Sequence, residues 1–264
     1  MPTLRVNNAN LYYEIHGDGP ETIFFSHGLL WSTRLYDPQF AYFKSRYRCI
    51  AYDHRGQGRS EVTESGYDMD TLYEDAVGLI EELGAAPCHF VGLSMGGFVG
   101  MRVAARRPDL LKSLILLETS ADIEPNVFKY NLLNIIVRLF GVNIVTSQVM
   151  PIMFGKEFMT NPERGDERAY WKKELQSNKR TIVRAVQGVI NRKGMLDEIG
   201  KIRLPTLIGV GNQDVATVPA KSDQIHSKIQ HAQRVMFTGA GHSSTVEQPE
   251  QVNAAIEAFL KGLG

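Results

Sequence analysis

The chain has 264 residues, with 29 Lys and Arg against 29 Asp and Glu, so its formal net charge is zero. This length buries a sizeable core and fits a single α/β domain, and the balanced charge gives no global pull toward nucleic acid or an anionic membrane. No apolar run reaches membrane-spanning length, because the longest candidate, 132–140, is interrupted by Asn134 and Arg138. The start, Met1-Pro2-Thr3-Leu4-Arg5, lacks the apolar stretch of a signal peptide. Cys49 and Cys88 are the only cysteines and lie in or beside apolar strands. Free thiols and a cytoplasmic location are expected.

In chain order, residues 4–6 and 11–15 read as two short antiparallel strands around Asn7-Asn8, and 22–25 as a third strand. A helix ending near 40–44 precedes a strand at 49–52. The spacing of Leu72, Ala76, Leu79, Ile80 and Leu83 predicts a helix over 69–83, capped by Asp68 or Asp70 and ended by Gly84. An apolar strand at 89–93 then gives way at Ser94 to a helix over 95–106, and a strand at 114–117 ends on Glu118. After a break, strands at 206–210 and 234–237 alternate with helices after Pro219 and from Pro249 to about 260. Such alternation argues for a mainly parallel sheet with helices on both faces. The break, 122–200, has no strand alternation; its helical pieces (169–175, 182–186) and apolar runs (127–140, 145–154) predict a helical cap over the sheet edge. Basic pairs on the cap, Lys172-Lys173, Lys179-Arg180 and Arg192-Lys193, are either solvated faces or a means of recognising a substrate carboxylate.

Gly92-Leu93-Ser94-Met95-Gly96-Gly97 is the most informative stretch. A serine between a strand and a helix, with glycines two before and two after it, forms a nucleophile elbow. The turn strains the serine backbone, and Gly92 and Gly96 must lack side chains where strand and helix approach. The Met95 N–H, at the helix start, is aimed at whatever Ser94 attacks. A serine hydroxyl needs a base, and the base needs an orienting acid. Asp214 follows the 206–210 strand and His242 follows the 234–237 strand, so both lie past strand ends on the elbow's edge of the sheet. Glu118 is the rival acid. Leu29, in the loop after the third strand, is expected to supply the second oxyanion N–H. Leu30 and Trp31 are expected to line the pocket, and His27 to shape the loop.

Taken together, Ser26-His27-Gly28, Asp53-His54-Arg55-Gly56-Gln57-Gly58-Arg59-Ser60, the Ser94 elbow, the Asp214 loop through Pro219 and the His242 loop through Pro249 resemble the α/β-hydrolases over essentially the whole chain. Within them the pattern is similar to 3-oxoadipate enol-lactonases and nearby carboxylesterases. The resemblance implies a mostly parallel eight-stranded sheet with helices on both faces. It divides the chain into a core of 1–121 and 201–264 and an inserted cap of 122–200.

The expected chemistry is ester hydrolysis through an acyl-enzyme on Ser94, with His242 as base and Asp214 as acid. The alternatives are a lactone hydrolase of the enol-lactonase or acyl-homoserine-lactonase type and a hydrolase-fold small-molecule receptor with slow turnover. No phosphate loop, H-E-x-x-H or paired C-x-x-C occurs, so neither an organic cofactor nor a metal is expected. The partner is a small ester or lactone, with no nucleic acid and no membrane.

Overall fold

The computed structural model describes residues 2–263. β1 (Thr3–Val6) and β2 (Ala9–His16) pair antiparallel around Asn7 and Asn8, whose φ of 44° and 60° suits asparagine. β2 also runs antiparallel to β4 (Arg48–Tyr52). β3 (Thr22–Ser26), β4, β5 (Cys88–Leu93), β6 (Leu111–Leu117), β7 (Thr206–Gly211) and β8 (Gln233–Phe237) are parallel. The eight strands form one sheet in the order β1-β2-β4-β3-β5-β6-β7-β8. β3, β5 and β7 are buried along their whole length. Their unbroken apolar runs therefore meet helices on both faces instead of alternating toward water.

Flanking helices are α1 (Asp37–Phe43), α2 (Met69–Glu82) and α3 (Met95–Arg106). α1 begins earlier than its apolar residues suggest, because Pro38 occupies its first turn. α2 starts where Asp68 accepts hydrogen bonds from the Asp70 and Thr71 N–H groups, and its buried face carries Leu72, Ala76, Leu79 and Ile80. Between β6 and β7 the chain forms no strand. It builds α4 (Val127–Phe140), α5 (Thr146–Met153), α6 (Lys156–Thr160), α7 (Gly165–Gln176) and α8 (Val183–Ile190). α9 (Pro219–Lys228), α10 (Ser244–Glu247) and α11 (Pro249–Lys261) complete the chain. No helix among the described residues is long and apolar enough to cross a membrane.

The topology positions the site. From β3 the chain moves outward to β4, then returns to β5 on the other side of β3. Neighbouring loops therefore diverge at the carboxyl ends of β3 and β5, which leaves a crevice there. Ser94 occupies that point with φ 53° and ψ −112°. Such a backbone costs about 1–3 kcal/mol for a residue with a side chain. It is held by the Ser94 N–H donating to Leu117 O at 2.9 Å and by the Ser94 carbonyl accepting from Thr119 Oγ1 at 2.8 Å.

The elbow also requires close packing. A Cβ on Gly96 would lie 1.9 Å from the Ser26 carbonyl oxygen, and one on Gly92 would lie 2.4 Å from the Gly96 oxygen. Both partners are backbone, one at the end of β3 and one in the first turn of α3, so neither can swing aside. Gly96→Ala is therefore expected to lower stability by about 1–3 kcal/mol or more, read as a shift in the urea midpoint at unchanged slope. A variant as stable as the parent would show that the β3–α3 contact is not tight.

Candidate active site

Three chain segments distant in sequence meet beside the elbow. Ser94 Oγ lies 2.9 Å from His242 Nε2, and His242 Nδ1 lies 2.9 Å from Asp214 Oδ2. Both side chains of the His–Asp pair are almost wholly buried. Asp214 follows β7 and is held at the start of its loop by the Ala216 and Thr217 N–H groups, at 2.8 and 2.9 Å from Oδ1. Thr217 Oγ1 donates to Asp214 Oδ2 at 2.7 Å and lies 3.2 Å from His242 Nδ1. Burial pushes the Asp214 carboxyl up, but the His242 imidazole and the hydrogen bonds from His242 and Thr217 outweigh it and hold the carboxyl below its ordinary value. With Asp214 ionised, the Nδ1 proton stays on the carboxylate side and Nε2 faces the serine as an acceptor.

Glu118, the rival, does not join this chain. Its backbone φ is 42°, its side chain is fully buried, and neither carboxyl oxygen has a hydrogen-bond partner among the described residues. Burial, then the Asp214 charge, push its carboxyl well above the usual carboxylate range. Both effects disfavour its charged form, and its carboxyl lies outside the hydrogen-bonded chain from Ser94 to Asp214. Glu247 is a third acidic group, not anticipated from sequence. Its carboxyl accepts from the N–H groups of Gly155 at 2.7 Å and of Gly241 and Ser243 at 3.0 Å each. Burial nevertheless raises its pKa to about 7. It ties the loop carrying His242 to the segment between α5 and α6.

The loop after β3 is shaped by the turn after β4. The His27 Nδ1–H donates to Gly28 O at 2.7 Å, and its Nε2 accepts from the His54 N–H at 3.0 Å. Both ring nitrogens are thus engaged within the scaffold, and burial lowers the pKa of the ring. Asp53 accepts from the Thr33 N–H at 2.7 Å and the Arg59 N–H at 2.8 Å. Gln57 Oε1 accepts from the N–H of Leu30, which sits at φ 73°. These contacts leave the Leu29 and Met95 N–H groups without a protein acceptor among the described residues. Met95 begins α3, whose N-terminal dipole favours negative charge at that point.

Ser94, His242, Leu29 and Leu30 line one cavity of about 170 Å³. Aliphatic side chains from α4, α5 and α8, among them Val137, Val149 and Val186, form most of its wall. Trp31, expected in the wall, is not there. Its buried indole packs edge-on against Phe154 and Trp171, with ring centroids 5.7 and 5.2 Å away, and so joins the loop after β3 to the inserted helices. Four charged residues reach the cavity, and they are paired. Arg192 meets Glu124 at 2.8 Å, and Lys221 meets Asp122. The basic pairs Lys172-Lys173 and Lys179-Arg180 are not in its lining.

A family model described as serine aminopeptidase, S33, matches residues 19–249. The chain is 28% identical over 263 residues to 3-oxoadipate enol-lactonase 2 of Acinetobacter baylyi, covering 98% of this chain and 96% of that protein. The structure of the enol-lactonase from Burkholderia xenovorans LB400 superposes with a TM-score of 0.92 at 27% identity, covering 98% of this chain and all of that one. A thermophilic esterase from Thermogutta terrifontis has the same fold, with a TM-score of 0.92 at 24% identity over 100% of this chain and 99% of that one. With its eight-stranded sheet and its match over most of its length, the chain belongs to the α/β-hydrolase superfamily, in the family described as serine aminopeptidase, S33.

Proposed function

We propose that the protein is a serine hydrolase that cleaves a neutral, aliphatic carboxylic ester through an acyl-enzyme on Ser94. The observation that carries this is the hydrogen-bonded chain Ser94–His242–Asp214, 2.9 Å at each link, at the end of an aliphatic cavity. Ser94 Oγ attacks the ester carbonyl while His242 Nε2 takes its proton. The carbonyl oxygen, now anionic, accepts from the Leu29 and Met95 N–H groups. His242 returns the proton to the leaving alcohol as the carbon–oxygen bond breaks. Water, deprotonated by the same nitrogen, then cleaves the acyl-enzyme and restores Ser94. The helices of 122–200 act as a cap that walls the acyl chain from water.

Charge pairing in the cavity supports the neutral substrate. An enol-lactone acid needs an unpaired cation, whereas Arg192 and Lys221 each face a carboxylate. An aminopeptidase substrate needs an unpaired carboxylate for its ammonium group, whereas Asp122 and Glu124 each face a cation. Binding either ion would break a pair that is itself partly desolvated.

Three outcomes are expected. Ser94→Ala leaves the fold intact and lowers ester hydrolysis by about a thousandfold or more, and a serine-directed phosphonate labels the parent at Ser94 alone; turnover like the parent's in the variant would remove the nucleophile. Asp214→Asn lowers kcat by roughly a hundred- to ten-thousandfold, while Glu118→Gln costs about tenfold at most, since Glu118 makes no hydrogen bond to His242. The reverse ranking would move the acid to Glu118. In an aryl ester series, kcat/KM rises about fourfold per methylene from acetyl to hexanoyl, in keeping with roughly 0.8 kcal/mol per buried CH₂. A dicarboxylic half-ester is poorer than its methyl diester. Preference for the free acid would replace the neutral ester by an anionic substrate.

A further inference from the structure

The outer face of α4 is apolar and uncovered. Phe128, Leu132, Ile135 and Leu139 follow one another at steps of four, three and four residues, which places them in one narrow stripe along the helix. Phe128 is 85% exposed, and the other three are each more than half exposed. Single exposed apolar residues are ordinary, but an aligned stripe on one helix marks an interaction surface. The opposite face of the same helix, with Leu133, Asn134 and Val137, lines the cavity beside Ser94.

The charges around the stripe point to its partner. No Asp or Glu occurs between residues 125 and 156. Lys129 and Arg138 project on either side of the stripe at helical spacing, and both are exposed. Beside it, a groove between α4 and the start of α8 is lined by Arg138, Arg180 and Arg184 and contains no carboxylate. Arg138 and Arg180 make no ion pair among the described residues. A second copy of the chain meeting this face across a two-fold axis would set these cations against their own images, with no carboxylate from 125–156 to meet them. An apolar stripe flanked by cations on a helix lying flat on the surface is instead the arrangement that suits the boundary between headgroups and acyl chains.

We propose that the outer face of α4 docks on an anionic lipid bilayer, with Phe128, Leu132, Ile135 and Leu139 entering the acyl boundary and Arg138 and Arg180 pairing with headgroup phosphates. The neutral whole-chain charge is no obstacle, because attraction to a membrane surface is set by cations within a Debye length of it. Docking would hold the cavity one helix diameter, about 10 Å, from the bilayer. The proposal concerns binding and stands whether or not Ser94 is the nucleophile.

The test is flotation of the full-length protein with vesicles of phosphatidylcholine alone or with about 30 mol% phosphatidylglycerol, alongside light scattering in free solution. The expected result is binding to the anionic vesicles at least about tenfold tighter than to the neutral ones, weakened by about 0.5 M salt. Phe128→Ser with Leu139→Ser should abolish binding. Arg138→Ala with Arg180→Ala should weaken it on anionic vesicles by roughly fivefold per cation. Both double variants should keep the far-ultraviolet spectrum and urea midpoint of the parent, since neither pair is buried. Absence of flotation, equal binding to neutral vesicles, or a stable dimer dissociated by the Phe128/Leu139 change would each overturn the proposal, the last by assigning the face to a second copy.

Discussion

Everything at the carboxyl edge of β5 depends on one unfavourable backbone, that of Ser94 at φ 53°. The residue is the hinge between β5 and α3, and its conformation turns the chain within a single residue. The strain persists because the surroundings over-determine it. Leu117 and Thr119 hold the peptide groups on either side of Ser94, and the bare α-carbons of Gly92 and Gly96 allow α3 to lie on the ends of β3 and β5. Two consequences follow from the same geometry. Ser94 and the first N–H of α3 belong to adjacent residues, so the proposed nucleophile and one proposed oxyanion donor are set by the same turn. Both His242 and Asp214 can then be supplied by loops, because the scaffold has already fixed the atom they must reach.

The acidic groups near this edge illustrate how environment separates similar side chains. Asp214, Glu118 and Glu247 are all buried, yet they differ in partners. Asp214 faces an imidazole and three donors from its own loop and falls below its ordinary pKa. Glu118 is wholly desolvated beside the Asp214 charge and rises well above it. Glu247 has three backbone donors but no cation, and lies between, at about 7. One ionised carboxylate beside the histidine is what the proposed chemistry needs. A second charge from Glu118 would raise the pKa of Asp214 and blur the tautomer it enforces. Desolvation of Glu118 disfavours that second charge without any further residue.

Much of this was legible in the sequence, for physical reasons that vary by element. The α3 bounds and the Asp68 cap of α2 follow from local rules, a glycine-flanked turn and a side-chain oxygen before an amphipathic run. The strands were read slightly short, since pairing extends into polar ends such as His16 and Arg48 that carry no apolar signal. The placement of Asp214 and His242 on the elbow's edge of the sheet is legible because both follow apolar strands. Thr217, three residues after Asp214, was not singled out; a hydroxyl at that spacing is also what an ordinary turn requires. Glu247 sits in a run similar to the family's, but its partners at Gly155 and Gly241 are far apart in sequence. Trp31 was misplaced because a large aromatic after β3 can face the cavity or the inserted helices. Only the positions of Phe154 and Trp171, which no local pattern gives, decide between them.

The inserted helices show the same limit in a different form. Apolar residues in 127–140 look like a buried helix, and in a single amphipathic helix one apolar face would suffice. α4 has two, one on the cavity and one on solvent. The sequence carries that excess plainly, as nine Val, Ile, Leu and Phe residues in fourteen, but cannot say which face the rest of the protein covers. The cavity accounts for the inner face, and its paired charges leave an interior suited to aliphatic groups. The outer face is then unexplained by folding, since exposing it gains nothing for the isolated chain. A helix that separates an aliphatic cavity from a cation-flanked apolar surface joins two environments of the same chemistry. The proposed substrate, a neutral ester with an alkyl chain, would find similar surroundings on either side of α4, so this helix would add little discrimination. Selectivity would fall to the depth of the valine-lined wall and to the geometry at Ser94.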